Sequence, residues 1–247
     1  MGRLATPADV RKVKEEIRRR VWSKLVKEGI ALPPFPVEGR IPNFRGADAA
    51  ARRLVASELF QSARVVFCNP DSPQRHVREA VLQSGKLLVM ASPRLRRGFL
   101  VIDPKHLPRA AIPRASTIRG AFEYGKVVTL EVPRVDLKVA GSVAVDVHGG
   151  RVGKGGGFSD LEFGILKSLG AIDDSTPVVT TVHDAQVVEG IPMLKHDVPV
   201  DYVFTPTRAI KTQKVHPRPE GIYWELLSDE EIRSIPVLQE LLRALKR

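Results

Sequence analysis

The hydrophobic positions near the start of the chain recur every three or four residues, which places them on one face of a helix. The segment Thr6-Pro7-Ala8-Asp9 supplies an N-cap hydroxyl, a proline at the first helical position and a carboxylate at the third, and Gly29 ends the pattern. We predict a helix over residues 6–28, with basic residues, Lys14 and Arg18 among them, opposite the apolar stripe. The stripe consists of Val10, Val13, Ile17, Val21, Trp22 and Leu25.

From residue 65 onward, short apolar runs alternate with helical patterns. Strands separated by helices are typical of a mainly parallel sheet covered on both faces, so we predict an α/β fold with a helical N-terminal extension. The predicted strands cover residues 65–69, 87–91, 99–102, 127–132, 137–147, 178–183, 202–205 and 222–226. The further predicted helices cover 47–61, 72–83, 160–169 and a C-terminal segment that begins at a capping box at Ser228 and is interrupted by Pro236.

The organisation along the chain favours one domain over residues 1–247, with residues 1–46 forming a helix and an extended connector that packs on the rest. The connector contains Pro33-Pro34-Phe35-Pro36, a sequence that forbids a helix. We find no internal repeat and no low-complexity segment. The domain is expected to act as a monomer or a homodimer.

Composition narrows the class of protein. Of 247 residues 43% are hydrophobic, enough for a large core, so disordered and fibrous classes are excluded. The formal charge of +11 favours nucleic acid, an anionic membrane or phosphate-bearing small molecules as partners. The lone Cys68 excludes a disulfide scaffold and a multi-cysteine zinc site. Because no apolar run is long enough for a membrane span and the N-terminus lacks a signal-peptide core, we expect a cytoplasmic protein without a membrane partner.

A glycine-rich segment carries the clearest chemical signal. Residues 149–160 hold six glycines and Lys154 between a predicted strand and a predicted helix. Glycines allow backbone N–H groups to approach an anion closely, and we expect Ser159 to cap the helix with Glu162 at its third position, so the segment predicts either a phosphate cradle or a flexible turn. Asp160 either interacts with the helix dipole or holds Mg²⁺.

Three further groups leave alternatives open. The dipeptides His183-Asp184 and His196-Asp197 fit either acid–base chemistry or structural hydrogen bonding. The segment Pro93-Arg94-Leu95-Arg96-Arg97 follows a predicted strand, where open α/β sheets bind ligands, and fits either an anion or a solvated loop. Cys68, within an apolar strand, is interpreted as core packing.

The glycine-rich segment also carries a resemblance. Together with Val135-Asp136-Leu137, Gly141 and Val145-Asp146, the run from Gly150 to Asp160 resembles the signature of 5-formyltetrahydrofolate cyclo-ligases, also called methenyltetrahydrofolate synthetases. The chain is more similar still to the subfamily of methenyltetrahydrofolate synthetase domain-containing proteins. That similarity covers nearly the whole chain, through Val21-Trp22, residues 40–44, Asn69-Pro70-Asp71, residues 91–96, residues 180–184 and residues 205–208.

The resemblance implies a reaction and two cofactors, ATP and Mg²⁺. In this family the formyl oxygen of 5-formyltetrahydrofolate takes the γ-phosphoryl group, and N10 then displaces phosphate to give 5,10-methenyltetrahydrofolate. Such chemistry depends on positioning and charge neutralisation more than on a protein nucleophile. A reduced folate or pterin is therefore the implied substrate.

The resemblance also implies roles for individual residues. It assigns ATP binding to Lys14 and Arg18 and to the segment from Arg151 to Ser159, with Arg151 and Lys154 as catalytic residues. It assigns Mg²⁺ binding to Asp160 and Asp197, although Asp197 also fits a turn. It assigns the substrate to Asp71, Lys154, Gly155 and Gly156, although Asp71 also fits a helix cap. The ATP-binding residues of the segment are Arg151, Gly153, Lys154, Gly155, Gly156, Gly157, Phe158 and Ser159.

The chain departs from the family pattern at the substrate. Phe158-Ser159 stand where the family has two tyrosines, Asp71 stands where it has glutamate, and Ala140 replaces a proline. These changes bear on folate turnover more than on ATP binding. The alternative hypothesis is therefore a non-catalytic protein of the same fold that binds RNA or nucleotide through its basic charge, although only 6% of its residues are aromatic and available for base stacking.

Overall fold

The computed structural model describes residues 6–245, so residues 1–5, 246 and 247 of the expected single domain lie outside the described residues. The helices are α1 (Pro7–Lys27), α2 (Ala47–Val55), α3 (Glu58–Ser62), α4 (Arg75–Gln83), α5 (Ile112–Ala115), α6 (Ile118–Tyr124), α7 (Phe158–Ser168), α8 (Asp229–Ser234) and α9 (Pro236–Leu245). The strands are β1 (Ala31–Leu32), β2 (Asn43–Phe44), β3 (Val65–Cys68), β4 (Leu87–Ala91), β5 (Phe99–Ile102), β6 (Lys126–Val128), β7 (Leu137–Ala140), β8 (Ala144–Val145), β9 (Arg151–Val152), β10 (Val178–Thr181), β11 (Tyr202–Phe204) and β12 (Ala209–Lys211).

Within residues 6–245, eight strands form the central sheet in the order β12-β11-β10-β7-β3-β4-β5-β6. The five strands from β11 to β4 are parallel, and the outer strands β12, β5 and β6 join antiparallel. The predicted α/β fold with a mainly parallel sheet is thus confirmed.

Helices cover both faces of this sheet because successive strand residues point to opposite sides. In β3, Phe67 joins the core beneath α7 and α9, while Val66 and Cys68 join the core beneath α2 to α6. The near-continuous apolar character of the central strands follows from this two-sided burial. One exception is Lys138 in β7, whose side chain is fully buried.

The N-terminal extension is the predicted helix with the predicted cap. The Thr6 hydroxyl accepts a hydrogen bond from the N–H of Asp9, and the Asp9 carboxylate accepts one from the N–H of Thr6. Five of the six stripe residues are buried, but Val13 is 40% exposed. Its place in the buried face is taken by Lys14, which is 7% exposed, so the prediction that Lys14 lies opposite the apolar stripe is wrong.

Several predicted boundaries are also wrong. The single helix predicted over residues 47–61 is broken where Ser57 caps α3, and the strand predicted over 137–147 divides into β7 and β8. The strand predicted over 222–226 is a 3₁₀ turn, Trp224–Leu226. The capping box at Ser228 is confirmed, and Pro236 begins α9. No helix of the described residues is long and apolar enough to cross a membrane.

The C-terminal segment packs closely on α7. A Cβ built at Gly164 would lie 2.6 Å from the carbonyl oxygen of Gly221, so two backbones meet there. We expect Gly164→Ala to lower the free energy of unfolding by about 1–3 kcal/mol in urea denaturation, although alanine normally stabilises a helix relative to glycine. Gly221→Ala is the matched control, because its Cβ would meet only the Ser168 hydroxyl at 3.3 Å. Equal stability of the two variants would contradict this close packing.

Candidate active site

A cleft of about 690 Å³ opens at the carboxyl ends of the parallel strands. Asn69 follows β3, Ser92 follows β4 and Gly141 follows β7, and all three line the cleft. Open α/β sheets bind ligands at this edge. The glycine-rich segment lines the same cleft, so the sheet and the loop together form one candidate site.

The glycine-rich loop leads directly into α7. Gly157 is the N-cap residue, with a left-handed φ of 67°, and no side chain among residues 6–245 caps the helix. The prediction that Ser159 is the N-cap is therefore wrong; its hydroxyl instead donates to Asn69 Oδ1 at 3.2 Å. Because the loop and the first turn of α7 line the cleft without a capping side chain, this helix N-terminus is suited to an anion.

Two basic residues of α1, Lys14 and Arg18, line the cleft. Lys14 Nζ lies 2.5 Å from Asp197 Oδ2, and burial lowers the pKa of Lys14. Arg18 Nε donates to the carbonyl oxygen of Gly153 at 2.7 Å, and its guanidinium also pairs with Glu15. Of the two predicted residues, Arg18 thus contacts the glycine-rich loop and Lys14 contacts Asp197, and both line the cleft.

Arg151 connects the loop to two neighbouring segments. Its guanidinium pairs with Asp160, donates from Nη1 to the carbonyl oxygen of Gly141 at 3.1 Å, and donates from Nε to that of Val198 at 3.2 Å. The side chain of Arg151 is 2% exposed. Arg151 therefore orients the loop and Asp160. Although the residue lines the cleft, its side chain is almost entirely enclosed by the protein.

The two predicted metal ligands both line the cleft. Asp160 Oδ1 accepts from Arg151 and from the N–H of Val198, and Asp197 Oδ2 accepts from Lys14 and from the N–H of Leu194. The second oxygen of each carboxylate accepts no hydrogen bond from residues 6–245. Mg²⁺ is commonly held by one or two carboxylates together with phosphate oxygens, so this donor set fits the ion. The described residues contain no cluster of three or more potential metal ligands.

The predicted substrate residues Asp71 and Lys154 face each other across the cleft. Lys154 Nζ lies 2.9 Å from Asp71 Oδ1, and the lysine side chain is 46% exposed. A Cβ at Gly141 would lie only 2.6 Å from Asp71 Oδ2, so a side chain at position 141 would displace this carboxylate. Gly155 and Gly156 line the cleft beside the pair.

Sequence reasoning missed a buried polar group behind the cleft. Asn69 Nδ2 donates to Glu162 Oε2 at 2.7 Å, and Lys138 Nζ lies 3.7 Å from the same oxygen. Burial raises the pKa of Glu162 and lowers the pKa of Lys138 to about 8. Within the described part of the chain, Lys138 Nζ has no hydrogen-bond partner, and it lies 3.9 Å from the centre of the Phe67 ring. A lysine in an apolar strand and a glutamate on the buried side of a helix are the only sequence signals for this group.

The two histidine–aspartate dipeptides have different surroundings. His183 accepts from the N–H of Ala185 at 3.0 Å, and Asp184 accepts from Thr205, Thr207 and Arg208, an arrangement that holds a turn together. His196 lines the cleft next to Asp197. Of the arginines after β4, Arg94 lines the cleft, with a left-handed φ of 53°.

A second pocket of about 150 Å³ adjoins the cleft behind Phe158. His196 and the loop border both cavities, and Tyr223 packs edge-on against His196 with ring centres 6.4 Å apart. The far wall is apolar and comes from Ile222, Leu226 and Leu227 of the C-terminal segment. The cleft therefore combines a polar, basic chamber with a small apolar one.

This fold and cleft define an α/β domain with a candidate anion-binding site, built from a glycine-rich loop, a helix N-terminus and basic side chains. The model of the 5-formyltetrahydrofolate cyclo-ligase family matches residues 10–206, and the chain belongs to that family. This match confirms the resemblance of the sequence to the cyclo-ligase family.

The chain is similar to methenyltetrahydrofolate synthase domain-containing proteins. It is 44% identical to that of Mus musculus, over 92% of this chain and 63% of the relative, and 40% identical to that of Homo sapiens, over 92% of this chain and 61% of the relative. The chain therefore spans less than two thirds of the length of these relatives. Among solved structures, Aquifex aeolicus 5,10-methenyltetrahydrofolate synthetase matches 87% of this chain and all of that chain, with a TM-score of 0.53 and 21% identity, which shows a shared fold.

Proposed function

We propose that the domain is an ATP- and Mg²⁺-dependent cyclo-ligase that converts 5-formyltetrahydrofolate, or a related reduced pterin, to the 5,10-methenyl form. The observation that carries the proposal is the convergence of Lys14, Arg18 and the glycine-rich loop with two carboxylates, Asp160 and Asp197, in one cleft. Phosphoryl transfer requires this combination of positive charge, backbone N–H groups and metal-binding oxygens. Membership of the cyclo-ligase family supports the choice of reaction.

In this proposal each part of the cleft binds one part of the reactants. The triphosphate lies on the loop and the N-terminus of α7, between Lys14, Arg18 and Lys154. The adjoining apolar pocket behind Phe158 takes the purine ring. Bound Mg²⁺ would neutralise charge on the phosphate oxygens, and Asp160 and Asp197 would hold it. Arg151 keeps Asp160 and the loop in place, while Lys154 approaches the transferred phosphoryl group.

The departures from the family pattern leave part of this machinery in place. Ser159 does not replace a tyrosine hydroxyl in the cleft, because its O–H is bonded to Asn69. Phe158 separates the cleft from the apolar pocket, a task that needs an aromatic ring but no hydroxyl. Positioning and charge neutralisation thus remain available without the two phenols.

A direct turnover assay tests the proposal. Purified protein with ATP, Mg²⁺ and 5-formyltetrahydrofolate is expected to produce the near-ultraviolet absorbance of the methenyl product, and omission of ATP or Mg²⁺ is expected to abolish it. Absence of product from folded protein at high concentration would contradict the cyclo-ligase. Salt-sensitive RNA binding without turnover would instead favour the non-catalytic alternative, since phosphate contacts weaken steeply with ionic strength.

A further inference from the structure

The Glu162 carboxylate is a hydrogen-bond acceptor fixed in the wall of the cleft. Glu162 is 6% exposed, and it lines the cleft from the first turns of α7. Its Oε2 accepts from Asn69, whereas its Oε1 accepts no hydrogen bond from residues 6–245. This second oxygen is accessible from the cleft, so it can accept a hydrogen bond from a bound molecule. This oxygen therefore points to a ligand contact.

The orientation of Glu162 is set by Asn69. The Asn69 side-chain oxygen accepts from the N–H of Gly141 at 3.1 Å and from the Ser159 hydroxyl at 3.2 Å, so its amide nitrogen is directed to Glu162. Asn69 follows β3, Gly141 follows β7, and Ser159 belongs to α7. Residues at the ends of two strands and in one helix thus hold this carboxylate, which is the rigid support that a binding group needs.

The charges around Glu162 select the kind of group that binds there. Lys138, fully buried behind it, already supplies the counter-charge of this carboxylate, so the ligand need not be a cation. The negative carboxylate itself opposes a phosphate. A neutral group that carries N–H or O–H donors is the remaining partner. Glu162 is thus suited to a part of the substrate that bears no charge.

We propose that Glu162 binds the N–H edge of the substrate's 2-amino-4-oxopyrimidine ring. In a reduced pterin the ring N3–H and the 2-amino group lie side by side, and both are neutral donors that match a carboxylate. This inference rests on the proposed function. Glu162 would then be a substrate-binding residue in addition to Asp71, and Asn69 would position it. The Asp71 carboxylate is paired with the half-exposed Lys154.

A comparison of Michaelis constants tests the role of Glu162. Glu162→Gln keeps the shape of the side chain but removes its charge, so we expect the KM for 5-formyltetrahydrofolate to rise about 10- to 100-fold. The KM for ATP is expected to stay within about twofold, because the phosphates contact other residues. Glu189→Gln, a change at an exposed glutamate, is the matched control and is expected to leave both constants unchanged.

A second variant distinguishes a loss of substrate binding from a loss of folding. Glu162→Gln leaves the buried Lys138 without a counter-charge, so the double variant Lys138→Met/Glu162→Gln removes both charges together. Circular dichroism confirms that each variant is folded, and the same rise in folate KM is expected in both. An unchanged folate KM in either folded variant, or a rise confined to ATP, would overturn the role of Glu162 while the cyclo-ligase proposal stands. A wild-type protein that neither binds nor converts 5-formyltetrahydrofolate would overturn both.

Discussion

Replacing Arg151 with methionine will lower the free energy of unfolding by about 3–5 kcal/mol, the typical cost of breaking a buried ion pair by removing one partner. The guanidinium pairs with Asp160 and donates to the carbonyl oxygens of Gly141 and Val198, and its side chain is 2% exposed. Methionine has a similar length but no donors, so both carbonyl oxygens lose their partner and Asp160 loses its counter-charge. Urea denaturation measures the change.

A second ion pair supplies the control for this prediction. Arg134 pairs with Asp173 at the surface, where the two side chains are 65% and 43% exposed. Arg134→Met is expected to cost at most about 1 kcal/mol, because exposed ion pairs contribute little. The double variant Arg151→Met/Asp160→Asn should recover part of the loss, since no buried charge then lacks a partner. Equal destabilisation by Arg134→Met and Arg151→Met would show that Arg151 does not hold the loop.

Replacing Lys14 with methionine will lower kcat/KM for ATP by about 10²- to 10³-fold, the range seen when one preorganised charge is removed from an active site. Lys14 is 7% exposed and contacts Asp197, so its charge acts in a site largely shielded from water. The prediction rests on the proposed cyclo-ligase activity. Calorimetric titration with ATP and Mg²⁺ provides a second measurement that does not require turnover.

Lys12 provides the comparison on the same helix. It is exposed on α1, and Lys12→Met removes the same charge from the chain without reaching the cleft. We expect the Lys12→Met variant to have the same affinity for ATP and the same kcat/KM as the wild-type protein. A loss of the same size in Lys12→Met and Lys14→Met would mean that the total positive charge, and not its position in the cleft, attracts the nucleotide.

Much of the fold could be predicted because its elements have local signals. The apolar runs of β3, β4 and β7 are short and bounded by turn residues, and the Thr6 and Ser228 caps are readable from neighbouring residues. The strand β12 was not predicted, because its residues are exposed or half-buried and form no apolar run. Its pairing with β11 depends on the tertiary structure.

Part of the candidate site could likewise be predicted from the sequence, and part could not. The glycine-rich loop is visible in the sequence, and the family resemblance adds Lys14, Asp160 and Asp197. The hydrogen bond between Asn69 and Glu162 could not be predicted, because the two residues are 93 positions apart and meet only when β3 and α7 pack together. The prediction of Ser159 as the cap fails for another reason, because α7 already begins at Phe158 and Gly157 occupies the cap position.

The contact between Gly164 and Gly221 means that the segment matched by the family model is shorter than the segment that packs as one unit. Residues 10–206 match the family, yet Ile235, Val237 and Leu238 belong to the same hydrophobic core as Phe163 of α7. A fragment cut at residue 206 would uncover that core on the helix whose N-terminus borders the cleft. The C-terminal region therefore supports the helix that follows the loop, although it lies outside the residues that the family model matches.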